Sequence, residues 1–243
     1  MEKKEIVTGR NPVFEYLKEL SQSHGAQLHI SSSAHGKIID DIVALAKKKN
    51  IKILYEDKSF FSSLGSASSH QGVALFTATK KLTDESSMLS SIAQEKGVIV
   101  FLDQITDPHN LGSIIRSAEA LGCSCVAITK DNSAPINETV IKTSAGATAH
   151  IRIITITNAA QFLEDLKSYG FWIIGTSDHG KTYLNQLKDI KPACIIIGNE
   201  GKGMRRLTEE KCDFVVSIPL KGKISSLNAS VAAGIVIYKL LNE

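Results

Sequence analysis

Three stretches of the sequence combine polar side chains with glycines in ways that suit ligand chemistry. The first is Asp107–Gly122, DPHNLGSIIRSAEALG, with Asn110 and Arg116 six residues apart. An amide can hold a hydroxyl, and a guanidinium can hold a phosphate or a developing negative charge. The second is Ile195–Met204, IIIGNEGKGM, where an apolar run meets Gly198, Asn199, Glu200, Gly201 and Gly203. Glycines let backbone approach a ligand closely, and the Glu200 carboxylate would repel a phosphate. This loop therefore suits a neutral or cationic ligand. The third is Ile218–Leu241, IPLKGKISSLNASVAAGIVIYKLL, which carries Ser226 and Asn228. Taken singly, each stretch also has a plain structural account. Asn110, Ser226 or Asn228 would be helix caps, Arg116 a solvated cation, and the glycine loop a surface connection.

A fourth stretch points to a different chemistry. GTSDHGKT at 175–182 satisfies the phosphate-cradling pattern G-x-x-x-x-G-K-S/T behind the apolar run Phe171–Ile174, which makes a P-loop nucleotide hydrolase the rival reading. Against it, Asp178 would put a carboxylate into the cradle, and the next apolar run ends in Asn199-Glu200 with no strand-terminal Asp. His70, His109 and His179 are too scattered to make a metal site, so no metal is expected.

The elements that must position these groups follow from periodicity. Gly97–Asp103 (GVIVFLD) is a continuous apolar run, as expected of a strand covered on both faces of a parallel sheet. Similar runs stand at Ser124–Thr129, Ile151–Ile156, Phe171–Thr176, Cys194–Gly198 and Phe214–Pro219, with helical patterns at Leu111–Leu121 and Ala159–Ser168. Strand alternating with helix predicts a parallel α/β sheet, whose ligands gather at the strands' carboxyl ends. A long helix is predicted from near Ser225 or Ser226. It is apolar or small nearly all round, which implies burial on several faces and a subunit interface. Upstream, strands at Leu28–Ser31, Ile51–Tyr55 and Gly72–Thr77 and a helix over 38–46 predict a small α/β unit. Between the two halves, Thr79–Glu95 is polar and reads as a linker carrying one short helix around Met88–Ala93.

Composition sets wide bounds. The chain has 243 residues, 43% of them apolar and 22% charged, and a net charge of +3. That permits nucleic-acid binding without demanding it. Lys47-Lys48-Lys49 complements a helix C-terminus better than it marks a phosphate site. No apolar run approaches the ~20 residues of a membrane helix, and Met1-Glu2-Lys3-Lys4-Glu5 lacks the apolar stretch of a secretory signal, so a cytoplasmic protein is expected. The spacing of Cys123, Cys125, Cys194 and Cys212 matches no zinc site, and core roles are expected for them.

Together the three segments resemble the SpoU/TrmH family of ribose methyltransferases in order, spacing and letters. The family pattern has an Asn and an Arg six residues apart, a GNEGxG loop and an IPxxGxxxSLNxSVA segment. Here these are Asn110 with Arg116, Gly198–Gly203, and Ile218–Ala232, with Ala229 where Val is common. The N-terminal GRNPVFEYL (9–17) and HQGVAL (70–75) resemble the substrate-binding domain of the bacterial ribosomal-RNA branch.

The resemblance implies an α/β fold whose C-terminal segment is tucked into a trefoil knot, although general threading rules count against one. It also implies S-adenosylmethionine as cofactor, held by Thr176, Gly198, Asn199, Ile218, Leu220 and Leu227. The reaction would be methyl transfer to a ribose 2′-hydroxyl of structured RNA. A guanosine of large-subunit ribosomal RNA is favoured, with transfer RNA as the alternative. Arg116 would lie beside the nucleophile, oriented by Glu200, with Asn110, Ser226 and Asn228 as hydrogen-bonding positioners. Arg10 and Asn11 would touch the RNA. The implied organisation is an RNA-binding domain at 1–78, a linker at 79–95, a catalytic domain at 96–243, and a homodimer. A non-catalytic RNA-binding protein on the same fold is disfavoured, because the whole polar set is present.

Overall fold

A computed structural model describes residues 4–20, 25–64, 70–78, 85–187, 190–223 and 226–242. In chain order it begins β1 (Lys4–Thr8), α1 (Arg10–Glu19), β2 (Gln27–Ser31), α2 (Lys37–Lys48), β3 (Lys52–Glu56), α3 (Lys58–Ser63) and β4 (Val73–Ala78). There follow α4 (Glu85–Gln94), β5 (Val98–Asp103), α5 (Pro108–Leu121), β6 (Cys125–Thr129), α6 (Glu138–Thr143) and β7 (Arg152–Ile156). The last part holds α7 (Ala159–Ser168), β8 (Trp172–Thr176), β9 (Thr182–Tyr183), β10 (Ala193–Gly198), α8 (Arg206–Glu209), β11 (Phe214–Ser217) and α9 (Ala229–Leu241).

The chain forms two compact units, one of Met1–Lys81 with Ile136–His150 and one of Leu82–Pro135 with Ile151–Glu243. The first unit has a four-stranded sheet in the order β1-β4-β2-β3, in which only β2 and β3 run parallel. The predicted strands and the 38–46 helix are all present. β1 and α1 were not predicted. β1 carries only Ile6 and Val7 as apolar residues, too short a run to stand out in the sequence. α1 hides behind Pro12, which its first turn tolerates, and buries Val13 and Leu17 one turn apart. Lys49 donates from Nζ to the carbonyls of Lys18 and Leu20, both at 2.5 Å, so this lysine closes the C-terminal end of α1.

Residues 136–150 lie within the expected catalytic stretch, yet they pack in the first unit. Ile141 joins its core, Thr8 Oγ1 donates to Glu138 Oε1 at 2.5 Å, and His150 Nε2 meets Glu15 Oε2 at 2.9 Å. Likewise the expected linker contains α4, whose Met88, Leu89 and Ile92 sit in the core of the second unit. Three large apolar residues in ten give a weak periodic signal, but their one-sided placement is enough to dock a helix.

The second unit is built on a seven-stranded, all-parallel sheet in the order β7-β6-β5-β10-β8-β11-β9. All six residues of β5 and all five of β6 are buried. Each large aliphatic side chain removed from water there stabilises by roughly 1.5–3 kcal/mol. α5 starts at Pro108 because Asp107 caps it, accepting from the His109 amide at 2.9 Å, and it stops at Gly122, whose φ of 89° a side chain would resist. Cys123, Cys125 and Cys194 are buried as expected, and Cys212 is partly so. No helix among the described residues is long and apolar enough to cross a membrane.

Candidate active site

Strands β5 and β10 are central neighbours, with Gly198 opposite Asp103 at their carboxyl ends. What leaves those ends defines the site. After β10 the chain makes a tight loop, closed by paired backbone bonds between Asn199 and Gly203 at 3.0 and 2.9 Å. Gly203 takes a φ of 67° to allow it. Asn199 organises the loop from inside: its Oδ1 accepts from the amides of Gly201 (3.0 Å) and Lys202 (3.2 Å), and its Nδ2 donates to the Gln104 carbonyl at 2.8 Å. A Cβ on Gly198 would lie 2.3 Å from the Met204 nitrogen and 2.4 Å from the Gly203 carbonyl carbon, so only glycine fits.

Asp103 was not singled out from the sequence, yet it anchors the far side of this loop. It is 1% exposed and accepts from the Arg205 amide at 3.0 Å and from Nε at 2.7 Å, with Nη2 also at 2.7 Å. A buried carboxylate without such a partner would be strongly disfavoured. The signal available was its place, an acid ending the apolar run VIVFLD where ligand sites of parallel sheets gather.

Asn110 brings the three motif stretches together. Its Nδ2 donates to Glu200 Oε1 at 2.7 Å, and its Oδ1 accepts from Asn228 Nδ2 at 2.9 Å. Asn228 in turn caps α9, its Oδ1 accepting from Ser230 N at 2.9 Å and Val231 N at 3.4 Å. Asn228 thus caps α9 and bonds Asn110 at the same time. Helix α9 begins at Ala229, later than expected; Ser226 precedes it in exposed chain, and Ser225 lies outside the described residues. Buried Ala229, Ala233, Val236, Ile237 and Leu240 seat α9 in the unit, while Gly234 faces Ser117 of α5.

Arg116 is exposed on α5, about 9 Å along the axis from Asn110. It makes no hydrogen bond or ion pair among the described residues. The expected Glu200–Arg116 pairing is therefore replaced by Glu200–Asn110. A loop carboxylate finds the amide at the near end of α5 before the guanidinium nearly two turns farther on. Thr176 ends β8, and its Oγ1 donates to the Ile196 carbonyl at 2.9 Å. Ile218 is partly buried, and Leu220 and Leu227 are 39% and 38% exposed. Arg10 and Asn11 open α1 in the first unit, where Asn11 is exposed.

The P-loop reading fails on geometry. Lys181 is followed by β9 and a 3-10 turn at Leu184–Gln186, where a phosphate cradle requires a helix to begin. A Cβ on Gly180 would meet the Val216 carbonyl carbon at 2.5 Å, so that glycine serves packing. His179 contacts two carboxylates, Asp178 at 3.0 Å and Glu209 at 3.5 Å, and the Asp178 hydrogen bond raises its pKa. Acids crowd the place a phosphate would need.

Comparison with known proteins agrees with this arrangement. Residues 97–238 match the SpoU rRNA methylase family, and residues 6–83 match the RNA 2′-O ribose methyltransferase substrate-binding family. A Staphylococcus saprophyticus protein named for the TrmH family of tRNA/rRNA methyltransferases is 41% identical over 240 residues, covering 98% of this chain and 95% of its own. The Neisseria meningitidis 23S rRNA (guanosine-2′-O-)-methyltransferase RlmB is 39% identical over 212 residues, covering 87% and 84%. Among solved structures, the SpoU methyltransferase AviRb from Streptomyces viridochromogenes, in complex with AdoMet, superposes with a TM-score of 0.82 at 21% identity, covering 98% of this chain and 90% of that one. The fold, the linked motifs and the matches over both segments lead to one conclusion: the chain belongs to the SpoU rRNA methylase family.

Proposed function

We propose that the protein transfers a methyl group from S-adenosylmethionine to a ribose 2′-hydroxyl of RNA, with a guanosine of large-subunit ribosomal RNA as target. The observation that carries this is the Glu200–Asn110–Asn228 chain of hydrogen bonds, which gathers three sequence-distant motifs at the carboxyl ends of β5 and β10. The ribosomal choice rests on the 39% identity to RlmB; transfer RNA is the other substrate that relatives' names carry.

The residues present fit the cofactor. The exposed side chains of Leu220 and Leu227 offer apolar surface for an adenine ring, and Glu200 offers a carboxylate to a sulfonium. Thr176, Gly198, Asn199 and Ile218 supply the surrounding backbone. When bound, S-adenosylmethionine supplies an already activated methyl group. The chain's own residues then orient the acceptor and exclude water. Arg116 stays protonated, so it serves better to hold the neighbouring phosphate and the developing alkoxide than to act as a base. Asn110, Ser226 and Asn228 are the positioners.

The same reading includes a trefoil knot and a homodimer. Asn228 follows β11, which lies beyond β8 and β10 in the sheet, and bonds Asn110 beside Glu200 of the Gly198 loop, which supports threading there. α9 leaves Val231 (50%), Ile235 (40%) and Tyr238 (60%) exposed, beside a groove of about 500 Å3 lined by Leu184, Ile218 and Pro219. Such an apolar surface favours a second copy. Ile237 is fully buried within the unit, so Ile235 is the position that tests assembly.

The deciding experiment is methyl transfer from labelled S-adenosylmethionine to ribosomal and transfer RNA, with the modified nucleotide mapped. Arg116→Ala should lose at least ~30-fold in rate while cofactor affinity is kept, the worth of one positioned charge in a water-poor site. Normal turnover by that variant removes Arg116 from the mechanism, and methylation of transfer RNA alone replaces the ribosomal target.

A further inference from the structure

The first unit holds a cavity of about 470 Å3 at the carboxyl end of β2 and the amino end of α1. Its wall includes Arg10, Ser31, Ser33, Lys58, Ser62 and His70, and no carboxylate among the described residues lines it. Two helices start at its edge without side-chain caps, α1 after Gly9 and α2 after Gly36. Arg10 Nη1 lies 4.0 Å from where a Gly36 Cβ would stand, so these two ends converge on the guanidinium. The Arg10 amide is taken by Gln71 and Pro12 has none, so α1 offers fewer free N–H groups than α2, and each end carries a partial positive charge.

The polar groups here are held yet not used up. Arg10 is steered by Gln71, its amide donating to Oε1 at 3.1 Å and its Nε to the carbonyl at 3.3 Å. The two terminal guanidinium nitrogens have no partner among the described residues. His70 is 7% exposed, and its Nδ1 accepts from the Gly72 amide at 2.9 Å. Nδ1 therefore carries no hydrogen, and the ring's N–H is at Nε2, which has no partner among the described residues. Ser31 and Ser33 hydroxyls, 3.0 Å apart, add further donors and acceptors.

We propose that this cavity takes one unpaired nucleotide of the RNA substrate, its phosphate at Arg10 and Lys58 and its base or ribose edge on the serine hydroxyls and His70 Nε2–H. The inference rests on the reading of the protein as an RNA methyltransferase and deepens it. Free phosphate would use the cations but leave the neutral donors idle. The volume falls in the about 300–1,000 Å3 range that encloses small ligands. A duplex cannot enter such a space, whereas an unstacked nucleotide can be splayed into it.

The test uses the full chain with labelled hexaribonucleotides of each base, the same RNAs as duplexes, and inorganic phosphate as competitor. Single strands should bind more tightly than duplexes. Arg10→Ala and Lys58→Ala should each weaken binding about tenfold, as expected for a charge-assisted hydrogen bond, and lower the salt slope by about 0.7. Ser33→Trp, at an exposed position, should block the cavity and weaken binding as strongly. Lys52→Ala serves as control, because Lys52 begins β3 at the end away from Ser31, and it should change affinity less than about twofold. In methyl transfer, the cavity variants should raise KM for RNA with kcat and cofactor affinity kept. Wild-type affinity and KM in Ser33→Trp, an equal loss in Lys52→Ala, or binding of phosphate without any oligonucleotide would each overturn the proposal. A wild-type protein that shows this binding pattern but methylates no RNA would instead overturn the enzymatic reading and leave the cavity assignment standing.

Discussion

Replacing Asn110 by Asp changes one atom type at the junction of the three motifs. In the wild type, Asn110 Nδ2 donates to Glu200 Oε1 at 2.7 Å and Oδ1 accepts from Asn228. The aspartate keeps an acceptor for Asn228 but sets a second carboxylate against Glu200. Two unit charges about 3 Å apart repel by about 1.4 kcal/mol in bulk water and about 5 kcal/mol at a protein surface. Glu200 itself is exposed to water and Asn110 half-buried, so the bulk-water figure is the minimum. Losing the hydrogen bond to a charged acceptor adds roughly 1.5 kcal/mol. The sum, about 3 kcal/mol, exceeds what an exposed loop resists, so Glu200 should swing away and the Gly198 loop should lose its tie to α5. Asn110→Asp should therefore transfer methyl groups about 100-fold more slowly at pH 8, with global stability little changed because all three side chains sit near solvent. The pair raises the pKa of one carboxyl, so a proton returns as pH falls and restores an O–H···O bond. Activity relative to wild type should consequently rise between pH 8 and pH 5.5. Asn110→Ala should be slow at every pH. The assay is labelled methyl transfer to ribosomal RNA across that range, alongside calorimetric cofactor binding. Wild-type turnover by Asn110→Asp at pH 8 would refute the argument that this bridge positions the site.

Gly198→Ala forces a Cβ against backbone atoms at 2.3–2.4 Å, so cofactor binding should fall sharply and thermal unfolding should show about 1–3 kcal/mol of destabilisation. Ile235→Glu should give a folded monomer by sedimentation, whereas Ile237→Glu should unfold the chain; a wild-type monomer at micromolar concentration would end the dimer reading. Burial pushes the Cys123, Cys125 and Cys212 thiols up to about 12, against about 9 when free, and Cys194 well above its usual value. The stability these neutral thiols contribute is complete below pH 9 and is lost as pH rises toward 12, by about 1.4 kcal/mol per pH unit for each group. Native protein at pH 8 should thus resist alkylation at all four cysteines, and rapid labelling of Cys194 would contradict the packing.

Much of the fold was legible because its physics is local. Continuous apolar runs such as Val98–Asp103 and Cys125–Thr129 can only be strands covered on both faces, and they were placed to within a residue or two. The motif letters of Asn110, Glu200 and Asn228 likewise marked side chains that the fold brings together and, through resemblance, the family. Other features depended on contacts that no window of sequence contains. A short helix was expected around Met88–Ala93, but as part of a linker, because a helix docked by Met88, Leu89 and Ile92 needs only one narrow stripe. Residues 136–150 join the first unit through Ile141 and His150, which local periodicity cannot assign to either core. The resemblance implied Glu200 on Arg116, a pairing of opposite charges. Tertiary structure gave it Asn110, since reach from a pinned loop decides between partners before charge does. Asp103 shows the same division: its letter says only that an acid ends a strand, and the Arg205 fork that makes its burial tolerable exists only once β5 and the chain after β10 lie side by side.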